Sequence, residues 1–85
     1  MRIEMLYFAW VREGMGRASE TVDAPDTLAS VADLVDWLAA RDDASAAALT
    51  DRARLRAAVD QAFVTVDAPI AGAREVALFP PVTGG

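Results

Sequence analysis

The chain contains neither cysteine nor histidine. That removes disulfides, thiolate nucleophiles, imidazole bases and the usual transition-metal ligands together, and few enzyme mechanisms survive the loss. Lysine is absent as well, so all eight cations are arginine. No Schiff-base chemistry is possible on this chain, and no lysine offers an isopeptide acceptor. Base-composition bias is enough to account for the excess of arginine and alanine. Positive charge is scarce relative to negative, with a net charge of -5. Nucleic acid is disfavoured, because phosphate neutralisation needs a basic face, whereas a basic protein partner would suit the balance. No apolar run approaches the length of a membrane-spanning helix, and Glu4 falls too early for the apolar region of a signal peptide. No membrane association is expected, and a soluble cytoplasmic protein is. Aromatics make up only 7% of the residues, so the placement of each matters.

What is present is a globular composition, 54% hydrophobic and 25% charged, in 85 residues. One domain is expected, with no room for a separate catalytic one. Residues 2–5 alternate polar and apolar and residues 6–9 are apolar on both faces, which predicts a first strand running from a sheet edge into covered territory. Trp10 to Glu13 suit a helical turn. Gly14-Met15-Gly16 reads as a flexible reversal into a second, more polar strand over 18–23. Val31, Leu34, Val35 and Leu38 form the stripe of an amphipathic helix. Ser30 is its expected N-cap, Asp33 completes a capping box, and the helix should end near Arg41. A docked helical turn is expected over 44–50. Further strands are predicted over 55–59, 63–66 and 75–79, the last stopped by Pro80 and Pro81, which cannot donate to a ladder.

Strand groups on either side of one main helix bury their apolar faces if a single sheet wraps across it. The expected fold class is therefore α+β of the β-grasp type, a mixed sheet of about five strands on one main helix with a short second helix. The first and last strands, being the most apolar, should lie side by side in the centre. If Ile3, Met5 and Tyr7 face the helix, alternation sends Leu6 and Phe8 to the opposite face. Likewise Val76 and Leu78 inward means Ala77 and Phe79 outward. An apolar patch on an open sheet face is a partner-binding candidate. Trp10, Trp37 and Tyr7 read as packing residues, and Asp33, Asp36, Asp42 and Asp43 as a solvated surface.

The end of the sequence carries the sharpest signal: Phe79-Pro80-Pro81-Val82-Thr83-Gly84-Gly85. Two glycines inside a folded element would be destabilising. In an extended tail they make a tip thin enough to enter a narrow channel, delivering at Gly85 a carboxylate with an expected pKa of roughly 3.5. The expected division is a folded domain over 1–79 and a reactive tail over 80–85. Extended like polyproline II, that tail reaches on the order of 19 Å. The prolines stiffen its base and lower the entropy lost on insertion. A frayed end would explain neither the diproline nor the diglycine. The chemistry open to Gly85 is attack on the α-phosphate of ATP to give an acyl-adenylate, which a persulfide or thiol can capture. No glycine-rich phosphate loop is present, so ATP is expected to be bound and used by an activating enzyme, with no cofactor or metal on this chain.

Taken together, the residues from Leu6 to Glu13, Ala57-Ala58-Val59-Asp60-Gln61, and the terminal run from Glu75 to Gly85 resemble the MoaD family of ubiquitin-like sulfur carriers, the small subunits of molybdopterin synthase. A diglycine end alone would also fit ubiquitin-like modifiers and the thiazole-pathway carrier, but Phe-Pro-Pro-Val before it points to the molybdopterin branch. The resemblance implies adenylation of Gly85 by a ubiquitin-activating-enzyme-like adenylyltransferase and its conversion to a thiocarboxylate by a persulfide sulfur donor. The tail would then enter the large synthase subunit, which supplies the catalytic groups for sulfur transfer to cyclic pyranopterin monophosphate. The synthase would be a heterotetramer, although the sequence itself leaves the stoichiometry open. Phe8, Phe63, Phe79, Pro80, Pro81, Val82 and Thr83 match positions of contact with the large subunit, and Arg12 matches a polar position near them. The chain departs from the family at Asp60, usually Asn, and at 71–74, usually a more acidic glycine turn. Three alternatives stay open: a modifier joined through Gly85 to lysines of other proteins, a sulfur carrier for another pathway, and a plain β-grasp adaptor.

Overall fold

A computed structural model describes residues 1–81, so the expectations for Val82, Thr83, Gly84 and Gly85 lie outside the described residues. The chain runs β1 (Arg2–Tyr7), α1 (Ala9–Met15), β2 (Ser19–Asp23), α2 (Val31–Ala39), α3 (Asp43–Ala48), a 3-10 turn (Arg52–Arg54), β3 (Arg56–Val59), β4 (Ala62–Val64) and β5 (Glu75–Phe79). The five strands form one mixed sheet in the order β2-β1-β5-β3-β4. β1 and β5 are central and parallel, and every other pairing is antiparallel. This is the expected β-grasp, with its first and last strands side by side.

Alternation sorts each strand between two faces. Ile3, Met5 and Tyr7 of β1 and Val76 and Leu78 of β5 are buried against Leu34, Val35 and Leu38 of α2 in one core. Burying each such side chain contributes about 1.5–3 kcal/mol. α2 begins as its sequence indicates. The Asp33 amide donates to Ser30 Oγ at 3.2 Å and the Ser30 amide donates back to Asp33 Oδ2 at 3.2 Å, completing the capping box. The Ala29 amide, donating to Asp33 Oδ2 at 3.0 Å, and the Ser30 amide hold the Asp33 carboxyl below its ordinary value. The same device recurs at α3, where Asp42 Oδ1 accepts from the Ser45 amide at 2.7 Å. Two of the acids read as solvated surface are therefore helix caps, and a third, Asp36, accepts from Arg52 at 2.7 Å.

Several boundaries differ from expectation. β1 stops at Tyr7, because Ala9 turns left-handed with φ 53 and starts α1. The reversal expected at 14–16 is shorter, since Gly14 and Met15 belong to α1 and only Gly16, at φ 77, makes the left-handed C-cap. Gly14 has a packing role: a Cβ there would lie 2.6 Å from Ala48 Cβ and 3.1 Å from Ala48 Cα, where α1 crosses α3. Leu55 ends the 3-10 turn instead of opening β3, and Val66 lies beyond β4. Gly14→Ala sets helix propensity, a gain of about 1 kcal/mol, against overpacking that costs roughly 1–3 kcal/mol. Because backbone as well as side chain must give way, a net loss of about 1 kcal/mol is expected by urea denaturation.

A polar knot ties the segment after α2 to the sheet edge. Glu20 of β2 accepts from Arg41 through both oxygens, at 3.0 and 2.8 Å, and from the Tyr7 hydroxyl at 2.7 Å. Hydrogen bonding from Arg41, aided by Tyr7, holds the Glu20 carboxyl below its ordinary value of 4.5 against the opposing cost of burial. Burial first, and Glu20 second, raise the Tyr7 phenol well above its ordinary 10.0. The unfolded chain thus protonates Glu20 at a higher pH than the folded one. The stability this supplies is complete above 4.5 and declines as pH falls through the lowered folded value. Above pH 10.0 the unfolded tyrosine ionises first, so stability also falls on the alkaline side. Denaturation at stepped pH should show both limbs, with the acid limb shallower in Glu20→Gln and the alkaline limb shallower in Tyr7→Phe.

Candidate functional site

The face of the sheet opposite the helices is uncovered, and it is where the sequence-predicted site residues meet. Register places Leu6 beside Ala77, Ala77 beside Ala58, and Ala58 beside Phe63, so a row of apolar side chains crosses four strands. Phe8 follows β1 and Phe79 ends β5, adding a second aromatic row at the same end. Phe63 is 84% exposed and Phe8 50%, the two large hydrophobic side chains most open to solvent among the described residues. The rings of Phe63 and Phe79 lie 5.7 Å apart at 55°, a tilted pair that fixes both orientations. Pro80 and Pro81 are half-buried against them. Together these residues line a shallow groove of about 610 Å³. An apolar depression of this size on so small a domain is a candidate protein contact surface.

The local backbone explains the exposure. Left-handed geometry at Ala9 turns the chain sharply after β1, leaving Phe8 on the open side while its amide still donates to the Leu78 carbonyl at 3.2 Å. Phe63 sits on a three-residue edge strand, paired on one side only. The β3–β4 hairpin turns through Asp60 and Gln61 at φ 48 and 72, a reversal that sequences normally assign to Asn-Gly or Asp-Gly. Asp60 is held there by its own bonds: Oδ1 accepts from the Arg74 and Glu75 amides at 2.9 and 3.0 Å, and its amide donates to the Glu75 carbonyl at 2.9 Å. Asp in place of the family's Asn therefore keeps an acceptor that anchors the start of β5.

Phe8, Phe63, Phe79, Pro80 and Pro81 thus come together, as expected. Arg12 does not join them: it is exposed on α1 and lies outside the residues lining the groove. The sequence reading missed Ala9, Ala58, Gln61 and Glu75, which complete the lining. Strand alternation could have found Ala58 and Glu75, since they share parity with residues already assigned outward. Trp10 and Trp37 pack against the core as expected, yet each also carries an arginine over its ring, Arg54 at 5.9 Å and Arg41 at 5.8 Å. Among the described residues no cluster of acids is placed to hold a metal, and no helix is long and apolar enough to cross a membrane.

A mixed sheet wrapped on one helix, with the final strand at its centre and the opposite face bare and apolar, defines a ubiquitin-like β-grasp domain. The chain belongs to the ThiS family, whose model matches residues 5–85. It is 45% identical over 83 residues to the molybdopterin synthase sulfur carrier subunit of Escherichia coli, spanning 98% of this chain and 99% of that protein. The subunit of the same name from Mycosarcoma maydis is 34% identical, over 98% of this chain and 92% of the relative. Among solved structures, SAMP1 from Haloferax volcanii superposes with a TM-score of 0.72 at 28% identity, covering both chains completely.

Proposed function

We propose that the chain is the sulfur carrier of a molybdopterin synthase, with residues 1–79 as the carrier domain and 80–85 as the reactive tail. One observation supports this most: β5, the central strand, ends at Phe79 on an exposed apolar groove that Pro80 and Pro81 also line, so the described chain ends at that groove. The near full-length similarity to carrier subunits of that enzyme agrees with it. The groove docks first an adenylating enzyme and then the large synthase subunit, through Phe8, Phe63, Phe79, Pro80 and Pro81 with Val82 and Thr83 continuing the contact. Arg12 supplies a charged contact outside the groove. In the activating enzyme a Gly85 carboxylate oxygen attacks the α-phosphorus of ATP and pyrophosphate leaves. A persulfide sulfur next attacks the acyl carbon and AMP leaves. Thiol cleavage of the resulting S–S bond releases the thiocarboxylate. In the large subunit that sulfur passes to the pterin precursor, and water restores the carboxylate. Gly84 keeps the approach to the reacting carbon free of side chains. A cytoplasmic location and the absence of a resident cofactor belong to the same reading.

The test is intact-mass analysis of the chain after incubation with ATP, the cognate adenylating enzyme and a persulfide donor. A gain equal to one oxygen exchanged for sulfur, localised to Gly85, is expected. Persistence of carboxylate alone under those conditions overturns the reading. A small archaeal modifier protein from Haloferax volcanii also superposes on this chain, which lends weak support to one alternative, conjugation through Gly85 to lysines of other proteins. That alternative is recognised by isopeptide-linked adducts in cell extract.

A further inference from the structure

The positions of the open face on either side of its apolar row carry opposite charge, with Arg2 lying beyond Glu4 on β1. The middle row, Leu6 to Phe63, is apolar. Toward the tail the next position on β3 is Arg56, paired with Phe79, and it shares a depression of about 340 Å³ with Phe63, Phe79 and Pro81. Away from the tail the next positions on the central strands are Glu4 and Glu75, direct neighbours in the parallel β1–β5 ladder. Thr21 donates to Glu4 at 2.6 Å. No hydrogen bond or ion pair from the described residues reaches the Glu75 carboxylate, although Arg74 borders the same surface. Arg56 donates through Nη1 to the Ala53 and Leu55 carbonyls at 2.9 and 3.1 Å, yet stays exposed and meets no carboxylate among the described residues.

Like charges on paired strands destabilise a free sheet. Here the pair stands without a bridging cation at the border of a groove that Glu75 itself lines. We infer that the groove is electrostatically oriented toward a protein partner bearing an arginine or lysine opposite Glu4 and Glu75 and a carboxylate opposite Arg56. Rotating the partner on this face would set like charges together, so the two ends select the one orientation in which the tail points into the partner. The inference rests on the carrier reading, and names the chemistry of the surface that the large synthase subunit must present.

Calorimetric titration of the intact chain with the purified large synthase subunit, at low and high salt, tests it. Glu75→Lys and Arg56→Glu are each expected to weaken association roughly tenfold at low salt and to flatten its salt dependence. Asp67→Lys, at an exposed turn beyond β4, makes the same charge change as Glu75→Lys away from the groove and should bind as wild type does. Glu75→Lys should melt no lower than wild type, because the lysine then faces Glu4, which separates lost docking from lost fold. Should wild type bind while Glu75→Lys and Arg56→Glu bind equally well, the oriented face is overturned and the carrier reading stands. Failure of wild type itself to bind overturns the carrier reading and this inference with it.

Discussion

Extending the chain by one alanine beyond Gly85 is expected to abolish thiocarboxylate formation while leaving thermal unfolding unchanged. The two outcomes separate because they depend on different parts of the molecule. Among the described residues the core draws its buried side chains from positions no later than Leu78, well short of the added residue. The reacting carbon, however, moves by up to about 3.5 Å, one residue of extended chain. Displacements of about 1 Å already cost two orders of magnitude in rate when a nucleophile must meet its target in fixed geometry. A fall of at least a hundredfold in sulfur loading is therefore expected, roughly the cost of that smaller misplacement. It is read by intact mass after incubation with ATP, adenylating enzyme and persulfide donor, beside a melting curve of the same sample. Loading at the wild-type rate would show that the terminal carboxylate is not the site of chemistry. It would remove the carrier and modifier readings together.

Much of the fold was legible because the signals were local or periodic. The capping box at Ser30 and Asp33 lies within four residues, and the stripe of α2 repeats at the helical period, so both emerge from the chain alone. The central position of β1 and β5 followed from apolarity on both faces, which only a covered strand tolerates. What stayed hidden depended on contacts distant in sequence. Gly14 looks like a hinge beside Gly16, and only the approach of Ala48 reveals that it is a helix residue chosen for lack of a Cβ. The Asp60-Gln61 turn lacks the glycine that normally announces such a reversal. It is stabilised by the Arg74 and Glu75 amides, whose proximity no local pattern encodes.

The candidate site divides along the same line. Parity along single strands was enough to send Phe8 and Phe79 outward with Leu6 and Ala77. The charged ends of the face were not legible, because neighbours across strands depend on register. Glu4 meets Glu75 only through the parallel β1–β5 ladder, and Arg56 meets Phe79 only through the antiparallel β3–β5 ladder. Arg12, assigned to the site by resemblance, lies outside the groove lining because α1 turns away after Ala9. Any part it has in docking would be reached from beyond the groove.

Replacing Phe63 by aspartate should separate docking from stability more cleanly than any core change. At 84% exposed, Phe63 has little burial to lose in the free chain. What it does lose is the tilted contact with Phe79, worth roughly 0.5–1.5 kcal/mol. The ring is in water in the unfolded chain as well, so little else changes and the melting temperature should shift by only a few degrees. In a complex the balance reverses. A ring desolvated at the centre of an interface is the kind of anchor whose truncation costs 2 kcal/mol or more, about thirtyfold in Kd. Aspartate adds the burial of a carboxylate, and it sets this charge at the end of the apolar row, beside Arg56, where a partner's own side chains must pack. Titration with the large synthase subunit should therefore show at least a thirtyfold loss of affinity. Leu78→Ala, on the opposite face of β5, serves as the contrast: it is fully buried and should lose about 2–5 kcal/mol of stability. Equal binding by Phe63→Asp and wild type would mean that the bare face is not where the partner sits. An exposed aromatic that contributes almost nothing to its own fold is explained by the surface it meets.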